Sequence, residues 1–139
     1  MAVEAATFGV ASFLHFDGSI PLGFQTVVGE SAPRAAIPEA IIGAVLAAGA
    51  IVAFAAPARA RPWALAATWF AVAGTTLGLT IVVAGRGPHS VPDIAYHASI
   101  LAVLVAGLIG MLAGIGSRPP GDGDRVPAWP EPREPARSA

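Results

Sequence analysis

Histidines and carboxylates occur together at the ends of apolar segments in this sequence. His15 closes the first apolar segment, and His97 follows Asp93 by four residues near the start of the last one. Residues four apart share one helix face, so Asp93 and His97 are predicted to be neighbours. Imidazoles with carboxylates suit Zn²⁺, Cu²⁺ or iron, and two axial imidazoles suit a b-type haem. The candidate metal ligands are therefore His15, Glu39, Asp93 and His97.

Each of these residues also has a structural interpretation. The run Ser90-Val91-Pro92-Asp93 matches a capping box, in which Asp93 would satisfy backbone N–H groups. A carboxylate such as Glu39 in the first turn of a helix complements the helix dipole. Histidines at the depth of a membrane surface can hydrogen-bond to water, lipid headgroups or carbonyl groups. Both interpretations stay open at this point.

Four apolar segments must position these side chains: residues 1–16, 37–56, 63–85 and 94–116. The last three have 20 or more residues and at most one charge, enough to cross a hydrocarbon core of about 30 Å as helices. Residues 1–16 would reach only about 24 Å, so a re-entrant or interfacial helix is the alternative to a span. We expect an all-α integral membrane protein, a four-helix transmembrane bundle of two antiparallel hairpins.

Composition supports a membrane location. Of the 139 residues, 55% are hydrophobic and 12% are charged, against roughly 25% charged in ordinary soluble domains. The chain has no Cys and no Lys, which excludes disulfides, thiolate chemistry, Schiff bases and a Walker-type phosphate loop. The net charge is −1 and the arginines form no basic cluster, so nucleic acid is not an expected partner.

The arginines predict the orientation in the cell membrane. With four spans, the N-terminus, the 57–62 loop and the C-terminal tail share one side, where six arginines lie: Arg59, Arg61, Arg118, Arg125, Arg133 and Arg137. The other side has only Arg34 and Arg86. Since arginines in loops favour the cytoplasm, both termini are predicted to be cytoplasmic, and the candidate metal ligands then lie on the outer face.

The regions outside the spans differ in character. The 17–36 connection carries several apolar residues and is predicted to fold back onto the bilayer surface. Residues 117–139 alternate prolines with charges and are predicted to form a disordered cytoplasmic tail.

Two GxxxG motifs predict close helix packing. Gly74 and Gly78 form the first, and Gly110 and Gly114 form the second. In lipid, small residues let helix backbones approach each other closely, within one chain or between chains. Besides the bilayer itself, the expected partners are therefore a second copy of the chain or another membrane protein.

Three functions remain open. The first is a non-catalytic accessory, binding or scaffolding subunit, for which no cofactor and no catalytic residue are expected. The second is a redox or metal-handling protein whose outer face binds a metal or haem. The third is a small dimeric proton-coupled transporter, in which Glu4 would carry the proton if the first span is longer than it looks.

Overall fold

The protein is mostly helical. We describe it from a computed structural model over residues 1–29, 32–86 and 91–114. Its elements are α1 (Ala2–His15), β1 (Ser19–Pro21), β2 (Thr26–Val28), α2 (Pro33–Ala55), a 3₁₀ turn (Pro57–Arg59), α3 (Ala60–Val83) and α4 (Val91–Leu112). The predicted tail, residues 117–139, lies outside the described residues.

Three of the helical segments have the length and hydropathy of membrane spans. They are Pro33–Ala55, Pro57–Val83 and Val91–Leu112. Large apolar side chains on their outer surfaces are exposed, including Phe54 (94%) and Val83 (71%), as expected for surfaces that face lipid. With 14 residues, α1 reaches only about 21 Å and is not among these three segments.

Prolines shape the ends of α2. The helix begins at Pro33, where the missing N–H costs nothing because the first turn has no intrahelical acceptor for it. The sequence predicts a start at residue 37, but α2 continues through Pro38. Pro38 lies only in the second turn, so the helix gives up a single backbone hydrogen bond there. At its other end, Ala56 precedes Pro57, a position that disfavours helical backbone.

Consecutive helices pack against each other: α1 on α2, α2 on α3, and α3 on α4. Phe8 of α1 and Leu46 of α2 are almost fully buried, and the other buried apolar members of the core are Ile42, Ala67, Ala71, Ile100 and Leu104. Gly43 allows α1 to approach α2 closely, since a Cβ there would lie 3.2 Å from the Cβ of Phe8.

The 17–29 connection is a small antiparallel hairpin rather than an irregular loop. Asp17 ends α1 with a left-handed backbone (φ 61°), and Ser19 pairs with Val28 in the β1–β2 register. Gly23 takes φ 81° in the turn, a conformation that favours glycine. A Cβ on Gly29 would overlap the carbonyl group of Leu14, so the hairpin returns directly against the end of α1.

Two hydrogen bonds tie the end of α1 to the start of α2. The backbone N–H of Ala32 donates to the carbonyl oxygen of His15 at 3.0 Å. The buried hydroxyl of Ser12 donates to the carbonyl oxygen of Ala36 at 2.9 Å. These bonds bring the last turn of α1 beside the N-cap and first turn of α2.

Candidate functional site

The structure brings together all four residues that the sequence singles out as metal ligands. His15 lies in the last turn of α1, Glu39 in the second turn of α2, and Asp93 and His97 in the first two turns of α4. His15 and Glu39 are 24 positions apart in sequence, yet His15 Nδ1 is 2.7 Å from Glu39 Oε2. We call these four residues the His–carboxylate cluster.

Both imidazoles use Nδ1 to donate a hydrogen bond. His15 donates from Nδ1 to the carboxylate of Glu39, and His97 donates from Nδ1 to the carbonyl oxygen of Asp93 at 2.9 Å. Because a carbonyl oxygen can only accept, the proton of a neutral His97 resides on Nδ1. A neutral imidazole held in this way presents Nε2 as a lone pair, the tautomer found in many metal-ligating histidines.

Each Nε2 atom faces a carboxylate oxygen at a distance longer than a hydrogen bond. His97 Nε2 is 3.8 Å from Glu39 Oε1, and His15 Nε2 is 3.7 Å from Asp93 Oδ1. Asp93 Oδ1 is also 3.5 Å from His97 Nδ1. The four side chains therefore form a ring in which bases and acids alternate.

The His–carboxylate cluster is buried. Side-chain exposure is 5% for Glu39, 9% for both Asp93 and His97, and 12% for His15. Glu39 Oε1 has no hydrogen-bond partner among the described residues. A buried carboxylate oxygen without a donor is energetically unfavourable, so this atom calls for an additional partner.

A cavity of about 140 Å³ borders the cluster on the side of α3. Glu39, Asp93 and His97 belong to its wall, and the exposed Arg34 and Arg86 also line it. The remaining wall is largely apolar. A molecule or ion in this cavity could therefore contact the polar side chains of the cluster.

As they stand, the cluster residues do not form a ready metal centre. No group of three or more His, Asp or Glu residues within 1–29, 32–86 and 91–114 is arranged to hold a metal ion. The reason is visible in the ring: the two Nε2–carboxylate gaps involve different pairs, His97 with Glu39 and His15 with Asp93. A third ligand for either gap requires a side-chain rotation.

Tyr96 is a neighbour of the cluster that sequence reasoning did not assign to it. The ring of Tyr96 packs edge-on against Phe8 (centroids 6.5 Å apart) and against His97 (centroids 5.0 Å apart). Its hydroxyl is buried without a hydrogen-bond partner among the described residues. Position 96 lies beside His97 in the chain, yet only the packing of α1 reveals the contact with Phe8.

The glycines of the two GxxxG motifs have different surroundings. A Cβ on Gly74 would lie 2.7 Å from Ile42 Cδ1 of α2, and one on Gly78 would lie 3.8 Å from the imidazole of His97. Gly110, by contrast, has no described residue within 4 Å of its Cβ position. The first motif faces other helices of this chain, and Gly110 faces open space.

Glu4 lies far along α1 from the cluster. Its carboxylate contacts the amino group of Met1, and its side chain is 21% exposed. Another cavity, of about 180 Å³, has Glu4 in its wall together with Met1, Leu46, Thr68, Leu104 and Met111. The role of Glu4 as a proton carrier stays a prediction.

Other predicted features fall outside the described residues. Ser90, the first residue of the proposed capping box, is one of them, and so is His89, the third histidine.

Comparisons with known proteins reveal no relative of this chain. No protein-family model matches the chain, and searches of curated proteins and of solved structures find no significant similarity.

Proposed function

We propose that this chain is a small, non-catalytic membrane protein that binds one divalent transition-metal ion at the His–carboxylate cluster. The ion would be held by His97 Nε2 and Glu39 Oε1, with the carboxylate of Asp93 rotating to supply a third ligand. His15 would orient Glu39 through their 2.7 Å hydrogen bond. The observation that carries the proposal is the 3.8 Å gap between His97 Nε2 and the unpartnered Glu39 Oε1.

The size of that gap suits an ion. Two protein ligands that each bind Zn²⁺ at about 2.1 Å are separated by roughly 3–4 Å. An imidazole lone pair and a carboxylate oxygen repel each other when nothing lies between them. A shared cation turns that repulsion into two favourable contacts.

Charge balance supports a divalent ion as well. Glu39 and Asp93 place two carboxylates in a buried site at the end of apolar helices, where uncompensated charge is costly. The two imidazoles can compensate for it only by taking up protons, and Arg34 and Arg86, which line the adjoining cavity, are exposed to the surroundings. One divalent cation compensates for both carboxylates and leaves the imidazoles neutral.

The arrangement of the two imidazoles favours an ion over a haem. A b-type haem needs two imidazoles on opposite faces of the porphyrin plane. Here both histidines take part in one ring of contacts with the same two carboxylates.

The test is zinc binding by the full-length chain, purified in detergent and freed of metal with a chelator. Calorimetry should show one Zn²⁺ per chain, with proton release if the imidazoles are protonated beforehand. Glu39→Gln keeps the shape of the side chain but removes its charge, and we expect it to weaken zinc binding by about 100-fold or more. Glu4→Gln is the matched control and should bind zinc like the wild type.

His15 requires a separate readout because it acts through Glu39. His15→Gln should keep the stoichiometry and weaken zinc binding by about tenfold. Absence of stoichiometric zinc binding, or equal affinity in the wild type and Glu39→Gln, would overturn the proposal.

The topology that we infer has four spans, arranged as two antiparallel hairpins with both termini in the cytoplasm. The absence of cysteine makes it directly testable, because single cysteines can be labelled with a membrane-impermeant maleimide in intact cells. Phe24→Cys, in the exposed hairpin turn, should react from outside. Ala2→Cys and Ala58→Cys should react only after lysis; labelling of Ala2→Cys in intact cells would show that α1 does not span.

A second candidate function, scaffolding within the membrane, rests on the open face of α4. Within residues 1–29, 32–86 and 91–114, no atom comes within 4 Å of a Cβ at Gly107 or Gly110, so another helix has room to approach there. Gly110→Leu should then abolish crosslinked dimers or a co-purifying partner, whereas Gly9→Leu, at another open glycine, should not. Unchanged association in Gly110→Leu would remove this candidate.

A further inference from the structure

The cavity beside Glu39 and His97 is large enough to hold a small molecule. Its volume of about 140 Å³ is close to that of an internal cavity that accepts a benzene-sized guest. It lies between α2, α3 and α4, and its apolar wall includes Ile42, Gly74, Gly78, Ile81 and Val82. A small molecule of benzene size therefore fits beside the proposed ion.

Thr75 adds a polar group to this apolar wall. It is 2% exposed, and its hydroxyl has no hydrogen-bond partner among the described residues. Other threonines of α3 behave differently: Thr76 and Thr80 donate to carbonyl oxygens of their own helix at 2.7 Å. Because Thr75 lines the cavity, its unpartnered hydroxyl is available for a hydrogen bond with a molecule there.

Gly78 keeps the cavity open next to His97. A Cβ at this position would sit in ordinary contact, 3.8 Å from both Cδ2 and Nε2 of the imidazole. Since Nε2 is the atom proposed to bind the metal, the space over Gly78 adjoins the metal position. A methyl group there would fill part of the cavity without a clash.

From these three observations we infer that the metal centre has an open coordination position facing the cavity, and that this position binds a small organic ligand. The ligand class is a molecule about the size of benzene, with one nitrogen or oxygen donor atom for the metal, one further polar group and an otherwise apolar body. The donor would bind the metal and a polar group of the ligand would bond to Thr75. This inference rests on the proposed metal-binding function.

The experiment uses Co²⁺ in the full-length chain, because its visible spectrum reports on its ligands, and imidazole as the probe. Imidazole should shift the Co²⁺ bands in a saturable way, since it carries one nitrogen donor and is smaller than benzene. Phenylimidazole has the same donor but exceeds the cavity, and should bind at least about tenfold more weakly. Equal affinity for the two probes would mean that the cavity does not surround the open position.

Variants locate the binding position. Gly78→Ala should weaken imidazole binding by about tenfold while Co²⁺ remains bound. The matched control is Gly107→Ala, at a glycine whose Cβ position has no neighbour within 4 Å in the described part of the chain, and it should leave both the Co²⁺ affinity and the imidazole affinity unchanged. Thr75→Val keeps the side-chain shape and should weaken imidazole binding several-fold. If Gly78→Ala also loses Co²⁺, the test relies on Thr75→Val instead. An imidazole affinity equal to that of the wild type in Thr75→Val would then overturn the inference.

The failures of the two proposals are distinguishable. A chain that binds no Co²⁺ refutes the metal centre and the open position with it. A chain that binds Co²⁺ but whose spectrum is unchanged by imidazole keeps the metal centre and refutes the open position alone.

Discussion

The two ends of the helix assembly hold their charged side chains in different ways. Where α1 ends and α2 and α4 begin, Glu39 and His97 are buried and contact other side chains of the His–carboxylate cluster. Where α1 begins and α4 ends, Glu4 contacts the amino group of Met1, and the exposed Arg61 donates to the carbonyl oxygen of Met111 at 3.3 Å. The first end uses side chains from three helices, and the second relies on the main chain.

This difference separates a site from ordinary helix ends. Carbonyl groups at the last turn of any helix attract a cation such as Arg61, and an amino group attracts any nearby acid. Alternating imidazoles and carboxylates from three helices have no such generic cause. The comparison predicts that substitutions near the cluster cost far more stability than matched substitutions at the other end.

The largest effect is expected from removing a cluster carboxylate. Glu39→Ala leaves the imidazole of His15 buried without its acceptor and should lower the free energy of unfolding by about 3 kcal/mol. Glu4→Ala, the corresponding acid at the other end, should cost at most about 1 kcal/mol because its carboxylate is partly exposed. Unfolding by sodium dodecyl sulfate in mixed micelles, without added metal, measures both. Equal losses would erase the distinction between the two ends.

The hairpin that holds the end of α1 should be the next most sensitive. Gly29→Ala forces a methyl group into the carbonyl group of Leu14 and should cost about 2 kcal/mol as the hairpin moves away from α1. Because His15 lies one residue further along α1, zinc affinity should fall as well. Gly9→Ala, in α1, is the control, since none of the described residues lies within 4 Å of its Cβ position. A Gly29→Ala chain with wild-type stability would mean that the hairpin does not hold α1.

A smaller loss is expected from the bond that joins α1 to α2. Ser12→Ala removes the buried hydroxyl that donates to the carbonyl oxygen of Ala36, at a cost of about 1 kcal/mol. Thr7→Ala removes an exposed hydroxyl that bonds only within α1, to Val3, and should change the stability much less. The same detergent titration compares them, and a larger loss in Thr7→Ala would contradict the assignment.

The smallest effect is expected at the other end. Arg61→Ala removes an exposed hydrogen bond to the end of α4 and should alter the free energy of unfolding by no more than about 0.5 kcal/mol. Thermal unfolding in detergent should give nearly the same midpoint as the wild type. A loss as large as that of Ser12→Ala would show that this end also depends on a specific side-chain contact.

Much of the helical framework follows from local sequence. Uncharged runs near the length of a membrane core predict the three long helices, and their observed limits differ by only a few residues. The start of α2 differs because Pro38 looks like a helix start, whereas Pro33, four residues before the predicted start, already satisfies that requirement. The β1–β2 hairpin was not predicted, since three-residue strands leave almost no periodic pattern to detect.

In the candidate site too, contacts within one helix follow from the sequence, whereas contacts between helices do not. Asp93 and His97 are predicted to be neighbours because helical spacing places residues four apart on one face. The contact between His15 and Glu39 depends on the packing of α1 against α2, and the cavity depends on Gly78 and Thr75 of α3 facing α4. Spacing along the chain carries information about neighbours within one helix. Contacts between helices depend on non-local packing, and here that packing joins the four polar residues into one buried ring and opens a cavity beside it.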